Sequence, residues 1–356
     1  MKRSIFLLFN LLLFCAFPKL VKADAIDDFV LAQMKSQHIP GLSMAVIKNG
    51  QIVKAKGYGL ANVELNVPVS PQTIFQSGSV GKQFTATAVM MLVEQGKLSL
   101  DDKISQYFEN SPPSWKNITV RNLLTHTSGI KDYEEKGELA INLTRDYTDE
   151  ELTAKAMAAS LDFPPGEQWK YSNTGYVLLG ILVKKVSGQF YGDLLRDRVF
   201  KPLDMKTTRN ISDVDIIPNR SSGYTLSSSV LKNQEYVSPS LNRTADGSLY
   251  FTVFDLAKWD AALYTEKLLK KESFKQIWTP VTLNSGKTYP YGFGWFLDTK
   301  NGHRLIQHSG GWQGFTTHIS RYVDDKLTVV VLTNLAGCQP NKIANGVAGF
   351  YLPALK

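Results

Sequence analysis

The order of secondary-structure signals predicts an α/β protein of the α+β type: an antiparallel sheet flanked by helices, with an all-helical subdomain inserted into it. Three observations carry this. Strand signals open the chain, a run of helices fills its middle, and strand signals return at its end. No Gly-, Ser- or Pro-rich linker separates the blocks, so the first and last strands are expected to pair in one sheet.

The elements follow in order. Ile26 to Met34 reads as a helix, with Asp27 and Asp28 in its first turn and Pro40-Gly41 closing the segment. The apolar runs Leu42 to Ile47 and Ile52 to Lys56 meet at Asn49-Gly50, a type I′ hairpin signal. Residues 84–93 form a helix with almost no polar face, closed by Gly96, and a helix of that kind is buried. Helical segments are expected at 120–125, 150–160, 174–187, 190–199, 254–264 and 268–278. Strands are expected at 291–297, 303–307, 315–322 and 327–333, and a closing helix at about 342–351. No internal repeat is visible, and a pocket is expected at the seam between sheet and helices.

The first residues read as an export signal. Lys2 and Arg3 precede an apolar stretch from Ile5 to Phe17, and Val21-Lys22-Ala23 offers a cleavage site after Ala23. Such a stretch is too short to cross about 30 Å of hydrocarbon as a helix. The expectation is therefore a periplasmic or secreted bacterial protein without a transmembrane segment after cleavage, with an alternative cut after Ala25. Residues 1–23 would be the signal peptide and 24–356 a single domain. Its sheet region would be 24–80 plus 285–356, and its mainly helical region 81–284.

Composition narrows the function. With 43% hydrophobic residues the chain can bury a large core. Removing the signal takes four basic residues and no acids, so the formal charge falls from +8 to +4. The remaining basic residues are interleaved with acids, which speaks against nucleic-acid binding. Only Cys338 follows the signal, so no disulfide forms within the mature chain and a cysteine-based zinc site is excluded.

Three motifs carry chemistry. Ser79-Val80-Gly81-Lys82 opens the buried helix, placing a hydroxyl and an amine about one turn apart on one face. Burial should depress the lysine's pKa so that it can take the serine's proton. The helix N-terminus would favour an oxyanion. The spacing alone is weak, because Ser229-Val230-Leu231-Lys232 repeats it with no evident purpose. Tyr171-Ser172-Asn173 lies on a loop before a helix, where phenol and amide can share one cavity. His308-Ser309-Gly310-Gly311 ends a strand, and its glycines admit a close ligand. Each motif also has a bland reading as a cap, a capping turn or a Gly-rich strand end.

Together, in this order, the three motifs resemble the active-site triplet of the serine β-lactamase and penicillin-binding superfamily. The likeness is to the branch holding class C β-lactamases, D-alanyl-D-alanine carboxypeptidases and related esterases. Leu123 to Ile130, Pro164-Pro165-Gly166, Tyr171 to Gly180, Tyr250 to Trp259 and Tyr291 to Trp295 are similar too. The resemblance implies a β-lactamase/transpeptidase-like fold over about 26–350. It implies that Ser79 is the acylated nucleophile, Lys82 its partner, and Tyr171 the base in acylation and the acid for the leaving group. Asn173, His308, Ser309, Gly310 and Gly311 would bind substrate, with the Ser79 and Gly311 N–H groups as oxyanion hole. It implies no metal and no organic cofactor.

His308 stands where class C β-lactamases carry a lysine. An imidazole of ordinary pKa, about 6.5, would be cationic in mild acid and could attract a substrate carboxylate there. His126 reads as structural, bonding within its loop, and Asp246-Gly247 and Trp312 are expected to line the site. The leading reading is an acyl-serine hydrolase of carboxypeptidase or β-lactamase type, acting on a small molecule or peptide, cell-wall peptides and β-lactams among the options. A carboxylic esterase of the same fold is the second. A non-catalytic peptidoglycan- or penicillin-binding protein is the third.

Overall fold

The computed structural model describes residues 24–355, so the proposed signal peptide lies outside the described residues. The strands are β1 (Gly41–Lys48), β2 (Gln51–Asn62), β3 (Val67–Pro68), β4 (Phe75–Gln76), β5 (Arg209–Asn210), β6 (Tyr224–Ser227) and β7 (Val230–Asn233). They continue with β8 (Leu249–Phe251), β9 (Val281–Thr282), β10 (Thr288–Tyr289), β11 (Phe296–Lys300), β12 (His303–Trp312), β13 (Phe315–Tyr322) and β14 (Leu327–Thr333). The α-helices are α1 (Ala25–Ser36), α2 (Lys82–Glu94), α3 (Val120–Leu124), α4 (Asp149–Ala158), α5 (Asn173–Ser187), α6 (Tyr191–Leu195), α7 (Val253–Ala262), α8 (Lys271–Ile277) and α9 (Pro340–Tyr351).

The main sheet has seven strands in the order β11-β12-β13-β14-β1-β2-β3, all antiparallel. The ends of the chain do pair, with Leu42 opposite Thr333 and Lys48 opposite Leu327. Asn49 and Gly50 both take positive φ, 53° and 75°, as the β1–β2 turn requires. The central strands are buried on both faces, and their side chains alternate accordingly. Leu42, Met44 and Val46 of β1, with Val329 and Val331 of β14, pack under α1 and α9. Ala45, Ile47, Val330 and Leu332 face the helical layer with Phe84, Leu178 and Trp259.

Helix α2 runs through that layer, and every residue from Lys82 to Leu92 is buried. A buried ion pair ties α7 to the sheet: Arg321 Nε donates to Asp260 Oδ1 at 2.6 Å, and Thr328 donates to the same oxygen at 2.8 Å. The guanidinium lies over the rings of Tyr264, Trp278 and Trp295.

Two strand expectations shift. The strand expected at 291–297 is instead β11, because 291–295 folds against the start of α2. Gly294 takes φ +75°, and a Cβ there would lie 2.9 Å from the Gln83 nitrogen. The strand expected at 303–307 runs on through His308 to Trp312, so the His-x-Gly segment lies within a strand. The second Ser-x-x-Lys copy falls in the β6–β7 hairpin, whose turn holds Ser228 and Ser229 at positive φ. Among the described residues no helix is long and apolar enough to cross a membrane.

Candidate active site

Ser79 sits on a 3-10 turn, Gly78–Gly81, that runs directly into α2. The turn is pinned from two sides. Ser77 exchanges backbone and side-chain hydrogen bonds with Leu249 and Gly247 beside β8, and Thr317 of β13 donates to the Ser77 carbonyl at 2.6 Å. β12 presses against the same turn: a Cβ on Gly310 would lie 2.1 Å from the Ser77 oxygen and 2.8 Å from the Ser79 nitrogen. Gly78, at φ +50°, could carry no side chain either, since its Cβ would sit 2.4 Å from the Gly311 nitrogen. Gly311 itself has open space before it.

Lys82 is fully buried and its three ammonium donors are all engaged. Nζ donates to Ser79 Oγ at 3.0 Å, to Asn173 Oδ1 at 2.7 Å and to the Asp246 carbonyl at 2.6 Å. Burial brings the pKa of this amine down to about 8, against the opposing pull of Asp246, Glu134 and Asp132. The ammonium also lies over the rings of Tyr171 and Tyr176, 4.9 and 5.4 Å from their centroids.

Tyr171 and Asn173 reach this point because two loops hold each other. His126, at φ 58°, accepts the Lys170 N–H through its carbonyl and the Ser172 N–H through Nδ1. Its ring lies 4.2 Å from that of Tyr171. Ser172 caps α5 by accepting the Gly175 N–H. Asp132 accepts the Asn173 backbone and side-chain N–H groups at 3.0 and 3.1 Å, which leaves one hydrogen of that amide uncommitted. The Tyr171 hydroxyl is buried, makes no hydrogen bond of normal geometry, and has Ser79 as the side chain that most favours its anion. Burial outweighs that help and holds the phenol's pKa well above the usual tyrosine value.

His126 therefore bonds outside its loop, and the chain of contacts continues to His308. Because His126 Nδ1 accepts from Ser172, its proton is on Nε2, which donates to the Tyr291 oxygen at 3.1 Å. The Tyr291 hydroxyl then donates to His308 Nε2 at 3.1 Å, and His308 Nδ1–H donates to the Ser309 carbonyl at 2.6 Å. Every group in this line is satisfied with both imidazoles neutral. His308 is only 2% exposed, and burial, helped by the Lys82 charge, lowers its pKa to about 3. The expectation that His308 gains charge in mild acid is overturned: a proton on Nε2 would meet a phenol already donating to it.

Two spaces meet at Ser79. One, of about 300 Å³, is lined by Ser79, Tyr171, Phe296, Gln307, His308, Ser309, His318 and Asn341, with no lysine or arginine among these described residues. The other is a recess lined by Glu134, Asn173, Asp246, Gly247, Gly311 and Trp312 around Ser79. A larger groove of about 950 Å³, beside Phe200 and Arg209, contains none of these side chains.

The structure thus brings Ser79, Lys82, Tyr171, Asn173, His308, Ser309, Gly310 and Gly311 to one place, with Asp246, Gly247 and Trp312 beside them. The sequence reading missed Asp132, Tyr133, Glu134 and His318, whose spacing matches no motif. It passed over Tyr291 as part of an aromatic stretch.

The family profile described as Beta-lactamase matches residues 26–348. The chain is similar to Penicillin-binding protein 4* of Bacillus subtilis (strain 168), 32% identical over 81% of this chain and 66% of that protein. It thus spans just under two thirds of that relative's length. Among solved structures it is similar to the octameric penicillin-binding protein homologue from Pyrococcus abyssi, with a TM-score of 0.79 and 32% identity over 92% of this chain and 77% of that one. It is also similar to a D-stereospecific amidohydrolase from Streptomyces sp., with a TM-score of 0.73 and 26% identity over 89% and 96%.

Proposed function

This chain belongs to the Beta-lactamase family, and from that premise we propose that it is a serine hydrolase cleaving an amide or ester bond through an acyl intermediate on Ser79. The observation that carries the reading is the buried Lys82 amine, 3.0 Å from Ser79 Oγ with its pKa brought down to about 8. Near neutral pH a useful fraction of this amine is unprotonated and can accept the hydroxyl proton. Ser79 Oγ then bonds to the substrate carbonyl carbon, and the proton moves to Lys82 Nζ. The Ser79 and Gly311 N–H groups receive the developing oxyanion.

A phenol held above its ordinary pKa is a proton donor at neutral pH, not a resting base. Tyr171 therefore gives its proton to the departing nitrogen or oxygen as the carbonyl bond to it breaks, and Lys82 restores the phenol. Water repeats the sequence on the acyl-serine, releasing the acid and returning the proton to Ser79. Asn173 positions Lys82, while His308 and Ser309 wall the larger space.

Within this class, carboxypeptidase- and β-lactamase-like chemistry both present a carboxylate to the enzyme. The larger space offers no cation to meet one, since His308 is held neutral. That observation favours amides and esters with uncharged leaving groups, and the likeness to a D-stereospecific amidohydrolase supports the amide class. The signal peptide expected at residues 1–23 supports action in the periplasm or outside the cell.

A fluorophosphonate probe tests the reading. It should label the protein and the Ser229→Ala variant, and should not label Ser79→Ala. Labelling that persists in Ser79→Ala refutes the mechanism.

A further inference from the structure

Lys82 is surrounded by more negative charge than it neutralises. Asp132, Glu134 and Asp246 all act on its ammonium electrostatically, yet its three donors go to a hydroxyl, an amide oxygen and a main-chain carbonyl. None of the three carboxylates receives a hydrogen bond from it.

Two of the three are left with capacity to bind something. Asp132 has both oxygens engaged: Oδ2 takes both Asn173 N–H groups and Oδ1 takes the Glu134 N–H. Asp246 is 6% exposed; its Oδ2 accepts from Tyr133 at 2.7 Å, but its buried Oδ1 has no partner. A buried carboxylate oxygen without a donor is costly unless a ligand supplies one. Glu134 stands at the rim, exposed as a residue but with its carboxyl partly desolvated by the recess, and no ion pair to it is formed among the described residues. Crowding by burial and by Asp246 and Asp132 pushes its pKa up to about 7, so an arriving cation would be welcomed there. Both acids line the small recess at Ser79, on the side away from His308. Its free volume is about 10 Å³, room for one water-sized group.

We infer that this recess receives the primary ammonium of the substrate's acyl part, so that the preferred substrates are α-aminoacyl amides or esters with a free amino group. An ammonium is water-sized, carries three donors and matches the surplus negative charge. In an aminoacyl group it lies two bonds from the scissile carbonyl carbon, about 2.5 Å away, which is the reach needed when that carbon sits on Ser79 Oγ. The inference rests on the acyl-serine reading and adds to it which side of the substrate is charged, and with what sign. N-acylated peptides and β-lactam amides lack that ammonium and would leave the Asp246 oxygen unpaired.

The test compares alanine p-nitroanilides of both configurations with their N-acetyl counterparts at pH 7.5, where Glu134, with its pKa at about 7, is mostly ionised and an α-ammonium of ordinary pKa is still largely protonated. The better free-amine substrate should exceed its acetylated form in kcat/KM by at least about tenfold, and Glu134→Gln should cut that ratio by about tenfold. Glu134→Asp should restore part of it. An acetylated substrate that is as good, or a ratio untouched by Glu134→Gln, overturns the inference. So does failure of the free-amine anilides both to turn over and to slow fluorophosphonate labelling. Ser79 labelling that is normal in those cases leaves the hydrolase reading standing, whereas absent labelling removes the reading itself.

Discussion

Replacing Lys82 by methionine separates what the amine does for chemistry from what it costs the fold. The ordinary lysine pKa is 10.5, and in this site it is about 8. At pH 7 about a tenth of the side chain is then neutral, against roughly three parts in ten thousand for an unperturbed lysine. Acylation by a p-nitrophenyl ester should therefore rise about tenfold from pH 7 to a plateau above pH 9, and should vanish in Lys82→Met. The stability consequence has a definite sign. Between pH 8 and 10.5 the unfolded chain holds a proton on Lys82 that the folded one has released, so folding stability rises with pH across that window. The rise is roughly 3 kcal/mol at 1.36 kcal/mol per pKa unit. Titrating groups that do not interact with Lys82 cancel when the variant is subtracted from the parent; Glu134, which does interact with it, is replaced by Gln in both proteins, and the hydrogen bonds lost to methionine enter as a nearly constant offset. Urea unfolding of both proteins at pH 7, 8.5 and 10 should show the parent gaining on Lys82→Met by about 2 to 3 kcal/mol. A difference that stays flat with pH, or acylation without an inflection near pH 8, refutes the buried-base argument.

Two further outcomes follow from the histidines. With His308 held neutral down to about pH 3, and with Glu134, which titrates at about 7 beside Ser79, replaced by Gln, the ratio of kcat/KM for a carboxylate-bearing peptide to that for a neutral ester should stay flat from pH 5 to 8; a fall through pH 6.5 would show a titrating imidazole. Tyr291→Phe removes the hydroxyl that satisfies both imidazoles, and should cost about 2 to 4 kcal/mol of stability, read by urea unfolding. In the parent, nitrogen-15 NMR should place the proton on Nδ1 of His308 and on Nε2 of His126, and the opposite tautomers would break the proposed line.

The architecture was legible in the sequence where patterns were local and strong. Asn49-Gly50 announces its turn because few other pairs accept positive φ twice, and the unbroken apolar run after Lys82 could only be a buried helix. The Ser79, Tyr171 and His308 motifs could be read as one site because their order resembled a known arrangement; nothing in their spacing alone separated Ser79 from Ser229. What stayed hidden depends on contacts across the chain. Glu134 and Asp246 are far apart in sequence, and only the loop that lays Asp132 against Asn173 brings them to one recess. The charge state of His308 was misjudged because burial, helped by the Lys82 charge, sets it, and neither that burial nor its hydrogen-bond partner Tyr291 has a signature in the sequence. Tyr171 follows the same logic, since burial and not residue type decides whether a phenol gives or takes a proton.

The pairing of β1 with β14 carries a kinetic consequence. Its partners, such as Leu42 and Thr333, lie roughly 290 residues apart, and contacts at such separation form late because the loop between them must first be closed. The strand that completes the sheet is synthesised after all the others in it, so the chain holds an open, apolar sheet edge until β14 arrives. The helical layer can collapse earlier around α2 and α5, and the Arg321–Asp260 contact then becomes the point at which the arriving strands dock onto it. Refolding should accordingly be slow and concentration-sensitive, with association of unfinished chains competing against closure of the sheet.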